Sequence, residues 1–337
     1  MGEKITDYKM IIDGEFVDSK NGAKIQIECP SNKAFFATVP RGDKEDVDLA
    51  VNSSKKAFQS WYKVMPKERG KILLQIADDI EKNKEEIAKI IAKETGNAIK
   101  TQARPEMNLV VDIFRYFGGL SSELKGETIP LGEHVLSYTR REPIGVVGAI
   151  IPWNAPVMLG ACKIAPALCS GNTLVMKAAE DAPLAILKVA EICQKYIPPG
   201  VLNLITGTGS ECGEPLAYHP LINKLSFTGS TAVGKIIMKA AAERILPVSL
   251  ELGGKSPSIV YPDVNEEWTV DGIIAAMRFT RQSQSCTAGS RLFLHRKIYD
   301  NFIGSLVEKL DNLVIGDPLD EGTDMGTIIN NKQYTKV

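Results

Sequence analysis

The spacing of apolar residues divides the chain near position 143. After a hairpin-like start over residues 10–17, turning at Asp13-Gly14, Ile72, Leu73, Ile76 and Ile80 recur at helical intervals. Ile87, Ile90 and Ile91 do so again before Gly96 supplies a stop, which predicts a second helical stretch. From Ile144 onward, short β-branched runs alternate with helical segments, each pair separated by Gly, Pro or Asn. The runs predict strands over 144–151, 173–176, 201–205, 225–227 and 248–250, with crossover helices over 158–168, 183–196, 212–218 and 232–243. Repeated strand, helix, strand units imply an α/β doubly wound parallel sheet covered on both faces, an architecture that binds ligands at its strand ends. Residues 123–142 interrupt the scheme with Pro130, Gly132 and a polar, alternating stretch, a candidate protruding hairpin. Beyond Pro257 a strand (258–261) and a helix (268–280) open a second α/β unit, which the pattern leaves incomplete at Val337.

Composition narrows the function classes. With 44% hydrophobic and 24% charged residues in 337, the chain is a soluble globular protein, and disorder as its main state is excluded. Its 40 basic and 41 acidic residues are spread evenly, so there is no electrostatic footprint for nucleic acid or an anionic membrane. Small molecules and proteins remain as partners. The first ten residues carry charges where an export signal would need an apolar run, and the longest apolar stretch, 146–153, is far too short to span a bilayer. A cytoplasmic location is expected. The six cysteines, at 29, 162, 169, 193, 212 and 286, form no C-x-x-C pair and no zinc-like spacing with histidine, so no metal site is expected. Five of them read as incidental thiols, most of them buried.

Several short segments could carry chemistry. The run Phe227-Thr228-Gly229-Ser230-Thr231-Ala232-Val233-Gly234 follows a predicted strand and opens a helix, the setting in which backbone N–H groups and the helix dipole attract a pyrophosphate. It lacks the middle glycine of G-x-G-x-x-G, and on its own is equally a tight strand-to-helix turn. Lys177 and Glu180 lie just past a strand, where Glu180 could accept from both ribose hydroxyls of an adenosine and would repel a 2′-phosphate; an exposed loop pair is the plainer alternative. Cys286 sits among small and polar residues, Gln284-Ser285-Cys286-Thr287-Ala288-Gly289, poor core material that leaves a thiol accessible to a carbonyl carbon. Glu251 leaves a strand end into Leu252-Gly253-Gly254, where a mobile carboxylate can activate water. Asn154, after Ile151-Pro152-Trp153, could donate to a developing oxyanion or simply shape a turn. His134, His219 and His295 are assigned no catalytic role.

Taken in order, P-W-N, K-A-A-E, F-T-G-S-T-A-V-G, E-L-G-G-K-S-P and Q-S-C-T-A-G-S-R resemble the aldehyde dehydrogenase superfamily, with further likeness at G-D-P-L-D and T-D-M-G. The resemblance implies Cys286 as nucleophile, Glu251 as general base, and Asn154 with the Cys286 N–H as oxyanion hole; Lys163 matches a lysine of the active-site neighbourhood. It implies a modified Rossmann domain holding NAD, with NADP less favoured, through Ile151, Pro152, Trp153, Lys177, Glu180, Gly209, Gly229, Ser230, Thr231, Val233, Gly234 and Leu252. Residues 1–122 and 143–252 would form that domain, 123–142 an oligomerisation hairpin, and 253–337 part of the catalytic domain. The product would be a carboxylic acid, and the complete protein a homo-dimer or tetramer.

Two residues depart from the family pattern before the nucleophile: Ser283 stands where glycine is usual, and Arg281 where asparagine is usual. The family's E-x-F-G-P segment and C-terminal strand are not in this sequence. An alternative expectation follows, a catalytically inactive fragment that at most binds nucleotide or associates with full-length subunits. A CoA-acylating relative is also conceivable, although a base for water is useful only in hydrolysis.

Overall fold

The computed structural model describes residues 5–264 and 266–337. Short strands β1 (Thr6–Asp7), β2 (Met10–Ile12) and β3 (Glu15–Val17) open the chain, followed by β4 (Lys24–Glu28) and β5 (Phe35–Pro40). Helices α1 (Lys44–Trp61), α2 (Pro66–Thr95) and α3 (Arg104–Leu120) come next, then the hairpin β6 (Thr128–Pro130) and β7 (Leu136–Tyr138). The alternating region runs β8 (Val146–Ile150), α4 (Pro156–Cys169), β9 (Thr173–Lys177), α5 (Leu184–Gln194), β10 (Leu202–Ile205), α6 (Glu214–Tyr218), β11 (Lys224–Gly229), α7 (Thr231–Arg244) and β12 (Val248–Leu252). The last part holds β13 (Pro257–Val260), α8 (Glu266–Met277), β14 (Arg291–Leu294), α9 (Tyr299–Asp311) and α10 (Asn331–Lys336).

The principal sheet has the order β12-β11-β8-β9-β10-β2-β3, in which β8 to β12 run parallel and β2 and β3 add antiparallel at one edge. From β8 the chain winds outward through β9 and β10, then returns to place β11 on the other side of β8. The winding direction therefore reverses between β8 and β11, the crevice where open α/β sheets bind ligands. One core joins α2, α3, α4 and α5 through residues such as Ile76, Phe114, Ile164 and Ile186. A second core, around Val51, Leu216, Phe227 and Ile237, brings α1, α6 and α7 together. A smaller one, of Val260, Val270, Ile273, Phe302 and Leu306, underlies the parallel pair β13-β14.

The five strands expected from β-branched runs are present within a few residues of their expected ends. The two helical stretches before Gly96 are instead one helix of 30 residues, α2. The polar run around Asn83 lies on its outer side and contains no breaker, and Gly96 at φ 78° ends it in the left-handed region. The expected helix over 212–218 is shortened to α6 by a single π turn over 209–213. The start at Asp13-Gly14 is a hairpin, with both turn residues at positive φ. Among the described residues no helix is long and apolar enough to cross a membrane, and the first four residues of the stretch read for an export signal lie outside them.

Candidate active site

The candidate residues gather at the C-terminal ends of β8, β9, β11 and β12. Register places Ile150 beside Lys177 on β9 and beside Phe227 on β11, Thr228 beside Glu251, and Gly229 beside Leu252. Four loops thus leave the sheet along one edge. Ile151 is buried and donates its N–H to the Lys177 carbonyl at 3.2 Å, while Pro152, Trp153 and Asn154 are half-buried above it.

Ser230 caps α7, its hydroxyl accepting from the Val233 N–H at 3.3 Å. Thr231 and Val233 are exposed on the first turn, so the helix start faces outward at the crevice. A Cβ at Gly234 would come within 2.6 Å of the Leu252 side chain, so glycine there lets α7 lie close on β12. Gly209 is open, with nothing near the position a Cβ would take. Lys177 is nearly buried and donates to Glu180 at 2.7 Å, leaving the Glu180 side chain half exposed. Burial alone would raise the Glu180 carboxyl, but the Lys177 charge and hydrogen bond outweigh it and hold Glu180 below its ordinary value. The two residues are an ion pair, a closer partnership than two independent contacts in a loop.

Asn154 does reach the segment before Cys286. Its side-chain amide donates to the Gln284 carbonyl at 2.7 Å, and its own carbonyl accepts from Asn97 at 3.2 Å. One amide hydrogen is committed to holding that segment, a role the sequence did not suggest. Cys286 is exposed, and its carbonyl lies 3.7 Å from where a Cβ of Gly254 would stand, which puts the loop after Glu251 beside it. Glu251 itself is exposed at the end of β12. Lys163 donates to Ser226 Oγ at 2.9 Å; burial pulls its ammonium down to about 8, against the opposing charges of Cys162 and Glu251. Lys163 and Glu251 are thus electrostatic neighbours.

Most of the other five thiols are buried, as expected. Four cysteines are buried, but Cys162 is exposed like Cys286. The buried stripe of α4 runs through Gly160, Ala161, Ile164, Ala165 and Leu168, which turns Cys162 and Lys163 toward the other side. Burial pushes the Cys193 and Cys212 thiols up to about 12, far from reactivity at neutral pH. Glu106 and Arg281 form a buried ion pair behind the Cys286 segment. Glu106 went unnoticed in the sequence, although its spacing from Val110 and Phe114 places it on the apolar stripe of α3, where a carboxylate is unusual.

The chain matches the aldehyde dehydrogenase family model over residues 16–337. It is 40% identical over 334 residues to an aldehyde dehydrogenase of Vibrio cholerae, and 42% identical over 333 residues to aldehyde dehydrogenase 1 of Tanacetum cinerariifolium. Each match covers 98% of this chain and 66% of the relative, so the chain spans just under two thirds of their length. Among solved structures, the NAD+ complex of a Bacillus cereus aldehyde dehydrogenase superposes with a TM-score of 0.96 at 37% identity, covering 98% of this chain and 68% of that one. An Escherichia coli NADP-dependent enzyme gives 0.96 at 32% identity, with 98% and 69% covered. The chain belongs to the aldehyde dehydrogenase family.

Proposed function

We propose that this chain carries the cofactor site and the reacting side chains of an enzyme that oxidises an aldehyde to a carboxylic acid with NAD+, and with NADP+ less readily. The observation that carries the reading is the meeting of Asn154 and the Cys286 segment, 2.7 Å apart at Gln284, at the reversal point of the sheet. Residues 1–122 and 143–252 form the dinucleotide-binding part, and 253–337 supply the nucleophile. The site fits a dinucleotide on its own features: a capped, outward-facing helix start at Ser230, a close α7–β12 approach permitted by Gly234, and the Lys177–Glu180 pair at the end of β9. Gly229, Ser230, Thr231 and Val233 would face the pyrophosphate, Lys177 and Glu180 the adenosine ribose, and Ile151, Pro152, Trp153, Gly209 and Leu252 would line the remainder. When bound, the nicotinamide accepts a hydride.

The protein's own part is acyl chemistry. The Cys286 thiolate attacks the aldehyde carbon to give a thiohemiacetal, whose oxyanion receives hydrogen bonds from the Asn154 amide and the Cys286 N–H. Loss of hydride leaves a thioester. Glu251 takes a proton from water, which attacks the thioester carbon, and the carbon–sulfur bond breaks to release the acid and return the thiolate. Glu180, kept ionised by Lys177, disfavours a 2′-phosphate. The exposed residues Leu131, Leu136 and Tyr138 on the β6-β7 hairpin suit a contact with another subunit, and the free thiols suit a reducing, cytoplasmic setting.

The test is NADH formation over a panel of aliphatic, aromatic and amino aldehydes, with Cys286→Ser alongside. Formation that is abolished in the variant supports the reading. A folded chain that binds NAD+ yet forms no NADH would instead assign it a nucleotide-binding role only. Glu180→Gln should narrow the preference for NAD+ over NADP+ by about tenfold, roughly one charge contact at the ribose; an unchanged ratio would remove Glu180 from cofactor selection.

A further inference from the structure

The loop leading to Cys286 follows a path its residues do not favour. Arg278, Gln282 and Ser283 have φ of 58°, 50° and 55°, in the left-handed region where non-glycine residues are strained, so surrounding contacts must impose the conformation. Three of those contacts are ordinary hydrogen bonds: Ser283 Oγ to the Met277 carbonyl at 2.9 Å, the Ile329 N–H to Gln284 Oε1 at 3.2 Å, and Asn154 to the Gln284 carbonyl at 2.7 Å. Another is charged. Arg281 Nη2 stands 3.6 Å from Glu106 Oε2, with the side chains 11% and 0% exposed.

That pair is costly as a source of stability. Neither Arg281 Nε nor Glu106 Oε2 has a hydrogen-bond partner, and burial pushes both groups toward their neutral forms against their mutual attraction. Apolar residues of similar volume would stabilise such a position at least as well. What they could not do is join the same three elements. Glu106, on α3, accepts from the Met158 N–H at 3.1 Å in the first turn of α4, the helix that follows Asn154, while its other oxygen faces Arg281. The Arg281 charge in turn reaches Cys286.

We propose that Glu106 and Arg281 are a positioning pair, locking the strained loop against the start of α4 so that the Cys286 thiol and Asn154 are held in a fixed relation. This rests on reading Cys286 as the nucleophile. The test is iodoacetamide alkylation of the full chain at fixed pH, with peptide mass mapping to follow Cys286 and the exposed Cys162 as an internal reference. Arg281→Met is expected to slow Cys286 about tenfold relative to Cys162, through loss of orientation. Arg281→Lys should recover most of that rate.

Glu106→Gln with Arg281→Met separates positioning from folding. Removing both charges should return the melting temperature toward that of the unaltered chain, because no unpaired carboxylate is left buried. Cys286 should nonetheless stay slow. An unchanged Cys286 to Cys162 ratio in Arg281→Met, or a ratio that recovers together with the melting temperature in the double variant, overturns the proposal. The nucleophile reading fails separately, if NADH formation survives complete alkylation of Cys286, and the ratio still judges the pair.

Discussion

Two parallel sheets in this chain are built to different standards. Every residue of β9 and β10 is buried, and β8 is buried up to its last residue, because helices cover both faces. In β13 and β14 burial alternates: Val260, Leu292 and Leu294 turn toward α8 and α9, while Ile259 and Phe293 are 65% and 50% exposed on the opposite face. Parallel strands normally need cover on both sides. The first sheet therefore anchors the fold, and the second presents the Cys286 loop from a thinner support. A seam between the early helices and the late segment around Thr327 lies at Gly96, which closes α2 and accepts from the Thr327 N–H at 3.0 Å.

Substitutions can sharpen this contrast. Leu174→Ala, in fully buried β9, should cost about 3 kcal/mol in urea denaturation, the loss of a core leucine with partial collapse of the cavity. At the seam, Gly96→Ala forces a side chain into φ 78° and brings its Cβ within 2.4 Å of the Thr327 carbonyl. A cost of about 2 kcal/mol is expected there, with amide exchange at 326–328 accelerated more than in β9. A loss spread evenly over both sheets would show that the seam is not a boundary.

A smaller effect comes from Glu94, fully buried at the end of α2, which accepts from the N–H groups of Leu184 and Ala185 at 2.7 and 3.0 Å. Burial raises its carboxyl from 4.5 to about 8, although those two bonds oppose the shift. Between these values the folded chain holds a proton that the unfolded chain has lost, so this group's contribution to stability falls as pH rises through that window. Glu94→Gln should flatten the decline, as measured by denaturation midpoints across the range; an identical slope in the variant would exclude Glu94 as its source. Smallest of all, Phe293→Ser on the exposed face should change stability by less than about 0.5 kcal/mol. A loss as large as that of Leu174→Ala would mean that this face is covered in solution.

Legibility in the sequence followed the same division. The five central strands were readable because buried β-branched runs such as Thr173-Leu174-Val175-Met176 are bounded by Gly, Pro or Asn. Helices α1 and α3 were not identified, since Lys44–Trp61 carries many charges around a narrow stripe of Val47, Ala50 and Val51, and α3 opens with Arg104-Pro105. Their local settings and the resemblance to the aldehyde dehydrogenase family brought Asn154, Glu251 and Cys286 forward as candidates, but not the direction of the Asn154 amide, which depends on where a loop 130 residues away passes. Arg281 stood out only as an odd residue. Its partner Glu106 was hidden because a carboxylate on an apolar stripe has no local meaning until the other end of the pair is seen.

The hairpin at Asp13-Gly14 carries a consequence for the order of assembly. Strand β2 pairs with its neighbour β3 but joins the main sheet only through β10, and the Asp13 N–H donates to the side chain of Asn203, 190 residues later. At about 5–20 residues per second, a ribosome needs roughly ten to forty seconds to deliver that partner. Through that interval Met10, Ile11 and Ile12, all buried in the finished sheet, have only the short strand β3 beside them. Burial of Met10, Ile11 and Ile12 thus waits for β10, which gives a nascent-chain chaperone time to meet these early apolar residues.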